Sequence, residues 1–169
     1  MTVEYLFCRL HELKPSDVIL IHAAAGGVGQ IACQWARAVG ATVIGTVSSA
    51  DKARLAKRNG CDFVINYTEQ SFVKAVDEIT NGQKVDVVYE GVGKDTFTQS
   101  LDCLRVRVLI VSFGNASGKH DPFDVLELSK KGSLYLTRPT LYHYTRNRQE
   151  ILDSAARYLA MLEKGHINI

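Results

Sequence analysis

The sequence predicts an α/β domain built on a doubly wound parallel sheet of six strands, with helices on both faces. Short apolar runs alternate with helical segments along the whole chain. The runs are apolar at successive positions rather than at alternate ones, which is typical of strands that helices cover on both faces. A glycine-rich segment also separates the first apolar run from the first long helical segment.

The predicted elements follow one another in a regular order. Strands are predicted at Val18–Ile21, Ala41–Val47, Phe63–Ile65, Val85–Tyr89, Val106–Val111 and Leu134–Thr137. Helices are predicted at Glu4–Leu13, Gly27–Ala38, Asp51–Arg58, Glu69–Ile79, Thr96–Leu104, Phe123–Leu128 and Glu150–Leu162, where apolar residues recur with helical spacing. Pro139 ends the last strand and Gly165 ends the last helix. His166–Ile169 alternates in polarity, which predicts the start of a further strand.

Composition and charge exclude several classes of protein. The chain has 169 residues, of which 46% are hydrophobic and 22% charged, so it is not intrinsically disordered. No apolar run approaches the roughly 18 residues needed to span a bilayer, and the N-terminus shows no signal peptide. The net charge is +2, which gives no reason to expect nucleic acid or an anionic membrane as a partner. We therefore expect a cytoplasmic protein.

Cysteine and histidine spacing predicts no metal site. The four cysteines lie far apart and form no CxxC pair, and the five histidines form no HExxH motif. A chain with enough apolar residues for its own core does not need a disulfide framework, so we expect reduced thiols.

The glycine-rich segment follows the first strand and opens the first long helix. Its register is Ala24-x-Gly26-x-x-Gly29, with alanine at the first glycine position of the G-x-G-x-x-G fingerprint of Rossmann folds. Gly29 permits close packing of the helix on the strand, and the helix N-terminus attracts phosphate. The sequence thus predicts a dinucleotide pyrophosphate at Gly26, Gly27 and Val28, although a glycine turn without a ligand gives the same pattern.

The end of the second strand indicates NADP(H) rather than NAD(H). Domains that prefer NAD(H) carry an acidic residue here for the ribose 2′-hydroxyl, but Val47 and Ser48 occupy these positions. A hydroxyl at Ser48 and a cation at Lys52 suit a 2′-phosphate. Two alternatives remain: Ser48-x-x-Asp51 as a capping box of the next helix, and Asp51 as a displaced ribose acceptor.

Motifs of other nucleotide-binding enzymes are missing. No tyrosine is followed by lysine four residues later, as short-chain dehydrogenases require. Both Gly-Lys pairs lack the following Ser or Thr of a P-loop. The acidic residue that methyltransferases carry after the second strand is also missing.

Several blocks of sequence occur together along essentially the whole chain. They are Leu13–Val18, His22–Gly29, Gly45–Ser49, Val87–Gly93, Val111–Gly118 and Gly132–Pro139. In this combination the chain resembles the medium-chain dehydrogenase/reductase superfamily, and within it the zinc-free NADPH:quinone oxidoreductases related to zeta-crystallin.

The resemblance implies roles for individual residues at the carboxyl ends of the strands. Ser48, Lys52 and Tyr67 would surround the 2′-phosphate. Gly91 and Val92 would line the cofactor, with Phe113 and Asn115 towards the nicotinamide. Local alternatives are that Tyr67 packs on the fold, that Phe113 is a core residue, and that Asn115 serves a turn.

The resemblance further implies transfer of hydride from NADPH to a quinone or another electron-poor enone. Residues 1–169 would form the NADP(H)-binding Rossmann domain, without the N-terminal catalytic domain and its C-terminal completion. No catalytic residue is assigned, and an NADPH-binding sensor or structural module is the alternative. The edge strand Ser133–Thr137 would pair with its twin in a homodimer, the alternative being a monomer with a covered edge.

Overall fold

A computed structural model describes residues 1–169 and contains one sheet of six strands, all of them parallel. The strands are β1 (Val18–Ile21), β2 (Thr42–Val47), β3 (Phe63–Asn66), β4 (Val85–Glu90), β5 (Leu104–Ser112) and β6 (Tyr135–Thr137). Their order across the sheet is β3-β2-β1-β4-β5-β6. The chain therefore runs outward from β1 to one edge and then from β4 to the other, which confirms the doubly wound prediction. Ligands of such sheets bind where the order reverses, here between β1 and β4.

Helices connect the strands and cover both faces of the sheet. They are α1 (Thr2–Tyr5), α2 (Gly27–Val39), α3 (Ala50–Arg58), α4 (Phe72–Ile79), α5 (Phe97–Ser100), α6 (Leu126–Lys130) and α7 (Arg148–Glu163). A π-helical turn at Leu6–Leu10 continues α1, and 3₁₀ turns occupy Leu101–Cys103 and Leu141–Tyr144. None of these helices is long and apolar enough to cross a membrane.

The strands supply two apolar cores, one on each face of the sheet. In β1, Ile19 and Ile21 are buried in the core that also holds α1 and α2, while Leu20 is buried in the core that holds α4 and α5. Successive side chains of a strand point to opposite faces, so a strand with helices on both sides must be apolar at every position. This is the pattern that predicted the fold.

Several predicted elements differ from the structure. The short helix predicted at Phe123–Leu128 lies instead at Leu126–Lys130, and the helix predicted at Glu69–Ile79 begins only at Phe72. Thr96–Leu104 is not one helix, because Leu104 already pairs with β4. Glu4–Leu13 forms only α1 and its π-helical turn. His166–Ile169 forms no strand, because the backbone N–H and carbonyl of Asn168 bond the Gln34 side chain, at 2.7 and 3.1 Å.

The edge strand is shorter than predicted. Ser133 lies outside β6 and has φ of +54°, a left-handed conformation that does not continue the extended backbone of the strand. Leu134 is buried, and pairing with β5 begins at Tyr135. The sheet therefore ends in a three-residue strand whose outer side pairs with no other strand.

A buried carboxylate bonded by two arginines joins the two ends of the chain. The Glu4 carboxylate on α1 is 0% exposed and accepts hydrogen bonds from Arg9 at 2.9 Å and from Arg157 on α7 at 2.6 Å. Burial alone raises the pKa of Glu4, but the nearby Ser154 hydroxyl and the hydrogen bonds from Arg157 and Arg9 outweigh it, so the pKa lies below its ordinary value. We call Glu4, Arg9 and Arg157 the terminal clamp.

Candidate nucleotide-binding site

A cavity of about 250 Å³ opens at the carboxyl ends of the strands, beside the point where the strand order reverses. Five residues predicted from the sequence line it: Gly26, Ser48, Lys52, Tyr67 and Val92. They come from the segments that follow β1, β2, β3 and β4. The fold thus brings together side chains that are far apart in the sequence.

The glycine loop leaves backbone donors free at the start of α2. Gly26 precedes the helix, and no side chain caps its first turn. The N–H of Gly26 is already bonded to the carbonyl of Ala23 at 2.8 Å. The free donors are therefore those of Gly27, Val28 and Gly29, one residue later than predicted. They can bond an anion, and the helix dipole adds positive potential.

Close packing explains the glycines and the alanine of this loop. A Cβ on Gly29 would lie 2.4 Å from the carbonyl oxygen of Ala23 and 2.7 Å from the Cα of Ala24. The first turn of α2 can therefore pack this closely on the preceding loop only with glycine at position 29. Ala24 takes the place of the first glycine because Gly45 on β2 faces it. A Cβ on Gly45 would lie 2.7 Å from that of Ala24.

A hydroxyl and a cation meet at one end of the cavity. The Lys52 ammonium donates to Ser48 Oγ at 2.9 Å, and both residues line the cavity. Asp51 is instead paired with Arg54 and does not line it, which disfavours Asp51 as a ribose acceptor. The predicted capping box is wrong, because it is Ser49 that caps α3 through the N–H of Lys52, while the Ser48 hydroxyl accepts from the Lys52 ammonium.

Tyr67 forms part of the same wall. Its backbone N–H donates to the carbonyl of Val47 at 3.1 Å, which ties the segment after β3 to the end of β2. Its partly buried ring packs against the core of α4 and also lines the cavity. The packing role and the cavity role therefore coexist.

The loops after β4 and β5 are bonded into one wall. The carbonyl of Val92 accepts from the N–H of Ser117 at 2.8 Å and from its hydroxyl at 3.0 Å. Gly93 has φ of +93°, and a Cβ there would lie 2.3 Å from the carbonyl oxygen of Gly118. Only glycine allows this approach of the two loops.

Five predicted residues do not line the cavity. Gly27 and Val28 present their N–H groups beside it, as described above. The Phe113 ring packs over Gly91, 3.0 Å from where a Cβ would stand, and contacts the core. The Asn115 amide lies 2.8 Å from the carbonyl of Gly114 and 3.1 Å from Arg138, so we orient it with its nitrogen towards the carbonyl and its oxygen towards the guanidinium.

A buried polar network lies beneath the cavity. Glu90 at the end of β4 accepts from the N–H groups of Val92 at 2.6 Å and Gly93 at 2.9 Å. Its other oxygen contacts the hydroxyls of Thr96 at 2.7 Å and Ser100 at 3.2 Å.

His22 at the end of β1 extends this network to β2. Its Nε2 lies 2.8 Å from Ser100 Oγ, and its Nδ1 lies 2.8 Å from Thr46 Oγ1. Ser100 also lies within bonding distance of two acceptors, the Thr96 carbonyl and Glu90, so its oxygen accepts from His22 Nε2–H. Nδ1 then accepts from Thr46.

The imidazole of His22 is neutral. Complete burial lowers its pKa below the ordinary value, and the nearby charge of Glu90 only partly opposes this. The serine, histidine and carboxylate do not form a hydrolytic triad, because the carboxylate bonds the serine rather than the imidazole. Ser100 is also fully buried, which keeps its hydroxyl from any substrate.

The sequence of residues 27–160 matches the family described as zinc-binding dehydrogenase. The chain belongs to this family. Its glycine loop and cavity wall are thus parts of a zinc-binding dehydrogenase fold.

Relatives within the zinc-binding dehydrogenase family are oxidoreductases by name. Quinone oxidoreductase of Salmonella typhimurium is 52% identical over the whole chain, which spans 52% of that protein. 2-Haloacrylate reductase of a Burkholderia species is 55% identical over 89% of the chain and 46% of its own length. The chain therefore spans about half the length of the curated relatives it matches.

A solved relative has the same fold. The structure of Escherichia coli quinone oxidoreductase complexed with NADPH superposes with a TM-score of 0.96 at 49% identity, covering 99% of this chain and 52% of the other. The predicted resemblance to quinone oxidoreductases is confirmed.

Zinc does not fit the residues of this zinc-binding dehydrogenase chain. No group of three or more His, Cys, Asp or Glu side chains in residues 1–169 could hold a metal ion. The four cysteines are free thiols.

Sequence reasoning missed half of the cavity lining in this member of the zinc-binding dehydrogenase family. The missed residues are Ala23, Ala25, Val47, Ala116 and Ser117. Four of them are small or apolar, and their side chains have no polar group that would indicate ligand binding. Ser117 stands in the Val111–Gly118 block, so its hydroxyl could have been considered. Glu90 and His22 were missed because nothing local shows that they meet.

Proposed function

We propose that residues 1–169 bind NADPH as the cofactor-binding half of a quinone or enone reductase. One observation carries the cofactor assignment: Lys52 and Ser48 meet at the cavity wall where a carboxylate would favour NAD(H). The solved relative from Escherichia coli is complexed with NADPH, which supports the same ligand.

The residues fit the parts of NADPH. The free N–H groups of Gly27, Val28 and Gly29 suit the pyrophosphate. Lys52, Ser48 and Tyr67 suit the 2′-phosphate, with one positive charge and two hydroxyl groups. Gly91 and Val92 are proposed to line the cofactor after β4, and Phe113 and Asn115, after β5, are proposed to lie towards the nicotinamide. When bound, NADPH supplies a hydride, and the chain binds and orients it.

Calorimetric titration of the 169-residue chain with NADPH and NADH tests this proposal. We expect NADPH to bind more tightly. Lys52→Ala should weaken NADPH roughly tenfold or more, because a charge-assisted bond to phosphate is lost, and leave NADH within about twofold. Equal or tighter binding of NADH by the wild-type chain would contradict the proposal.

Lys57→Ala is the matched control. Lys57 stands on the same helix and is exposed, but it does not line the cavity. Its loss removes the same charge, so both affinities should stay within about twofold of the wild type if Lys52 acts locally rather than through net charge.

For the whole protein we propose reduction of a quinone or a related electron-poor enone. The named relatives act on quinones and on 2-haloacrylate, and both substrates contain an electron-poor double bond. Steady-state NADPH oxidation by the full-length protein with a quinone tests this step. The four free thiols suit the cytoplasm, and the balanced charge suits a small-molecule substrate rather than nucleic acid or membrane.

We also propose a homodimer through β6. The outer side of β6 is unpaired, and Tyr135, the first residue of this strand, is 63% exposed. Sedimentation equilibrium should give the mass of two chains. Tyr135→Lys should weaken association about tenfold, since aromatic anchors dominate interfaces. Tyr142→Lys should not, because Tyr142 is exposed (75%) but lies outside the sheet. A monomeric wild type contradicts this proposal.

A further inference from the structure

We infer that Glu90 is a positioning residue that fixes the cavity wall for the bound nucleotide. The inference rests on the proposed nucleotide binding. It assigns no chemical step to Glu90, which is 0% exposed and cannot touch a ligand.

The first observation is what surrounds the carboxylate. Glu90 has no lysine or arginine partner, and the only basic group within 4.0 Å is His22, at 3.7 Å. His22 is neutral for the reasons given above. The carboxylate is therefore held by the N–H groups and hydroxyls that bond it, as a buried polar group must be to offset its desolvation.

The second observation is which backbone groups the carboxylate holds. Oε1 accepts from both Val92 and Gly93. Val92 lines the cavity, and Gly93 contacts the loop after β5 in the close approach that only glycine allows. One carboxylate oxygen thus fixes Val92 and Gly93, the residues through which the loop after β4 contacts the loop after β5.

The third observation is the extent of the network. Ser100 joins Glu90 to His22, and His22 joins Thr46. These contacts link the ends of β4, β1 and β2, the same three strands that lead into the loop of Val92, the glycine loop and Ser48. One buried network therefore sets the positions of the Val92 loop, the glycine loop and Ser48 relative to one another.

A purely structural role would give a different result from a positioning role. A structural residue changes the stability of the whole chain, while a positioning residue changes the cavity more than the rest. Glu4 provides the matched control, because it is also a fully buried carboxylate but lies in the terminal clamp and not at the cavity.

The experiment compares Glu90→Ala with Glu4→Ala in the 169-residue chain. Titrations with NADPH and NADH measure affinity. For Glu90→Ala we expect both affinities to fall about tenfold with their ratio unchanged, because the wall serves both nucleotides and unpaired amides remain. Glu90→Gln keeps one acceptor oxygen and should restore most of the affinity. Glu4→Ala should leave both affinities within about twofold.

Amide hydrogen exchange without nucleotide provides an independent readout. In Glu90→Ala the amides of Val92 and Gly93 should exchange about tenfold faster relative to those of β4, whereas Glu4→Ala should preserve this ratio. If Glu90→Ala does not fold, Thr96→Val removes one hydroxyl from the carboxylate and should give the same pattern at smaller size.

Two results would overturn the inference: unchanged relative exchange of these amides, or equal effects of the two alanine variants on nucleotide affinity. Failure of the wild-type chain to bind either nucleotide would instead refute the proposed function, and the exchange ratio would still decide the role of Glu90.

Discussion

The chain buries two carboxylates completely and compensates them in opposite ways. Glu4 is bonded by two arginines, one of them from the far end of the chain. Glu90 accepts from the backbone N–H groups of Val92 and Gly93, which follow it in the chain by two and three residues, and from nearby hydroxyls. Both are 0% exposed, so the difference lies in the partners and not in burial.

The partners indicate what each carboxylate does. Glu4 joins α1 to α7, two helices that are neighbours in space but not in sequence. Its removal should affect whether the ends of the chain stay docked. Glu90 shapes a turn within its own loop, so its removal should affect the local geometry of the cavity. The terminal clamp holds the fold, and the Glu90 network sets the site.

Breaking the terminal clamp should have the largest effect on stability. Glu4→Ala leaves two arginines without their carboxylate partner and removes a buried bonding centre. We expect a loss of about 3 kcal/mol in the free energy of unfolding, measured by urea denaturation. Nucleotide affinity of the folded protein should not change. A loss below about 1 kcal/mol would show that the clamp is dispensable.

The same clamp predicts a dependence of stability on pH. Because the folded-state pKa of Glu4 lies below its ordinary value of 4.5, its contribution is fully present above that pH. It is lost as the pH falls from there through the folded-state pKa. The wild-type chain should therefore lose stability more steeply below about pH 4.5 than Glu4→Ala, when both are measured by urea unfolding.

Sequence patterns could predict the sheet and the first part of the site for physical reasons. Strands covered on both faces must be apolar throughout, and this signal is local to each strand. The glycine loop is also local, because Gly29 is required by its own neighbours Ala23 and Ala24. Ser48 and Lys52 are four residues apart, so their meeting at the start of a helix could be predicted.

The remaining features depend on contacts between distant segments. Ser100 and His22 are 78 residues apart, and Arg157 and Glu4 are 153 apart, so no local pattern shows that they meet. The shortened helix near Leu104 has the same origin, because pairing with β4 overrides helical spacing. Ser49 rather than Ser48 caps α3, because the Ser49 hydroxyl is the one that accepts from the N–H of Lys52.

The glycine loop offers a smaller perturbation that sharpens the contrast between fold and site. A Cβ at Gly29 would overlap the backbone of Ala23 and Ala24, which cannot move away as a side chain could. We expect Gly29→Ala to cost about 2 kcal/mol of unfolding free energy and also to weaken NADPH, because α2 must move away from the loop that presents its free N–H groups. Unlike Glu4→Ala, Gly29→Ala should lower both the unfolding free energy and the affinity for NADPH.

Gly27→Ala separates the two effects within the same loop. A Cβ at Gly27 meets no atom within 4 Å, and the residue lies in the first turn of α2. Alanine should therefore raise the unfolding free energy by about 0.5 kcal/mol, since it loses less backbone entropy on folding than glycine. NADPH affinity should nevertheless fall if the pyrophosphate approaches this backbone closely. A more stable variant with unchanged NADPH affinity would remove Gly27 from the proposed phosphate cradle while leaving the packing role of Gly29 intact.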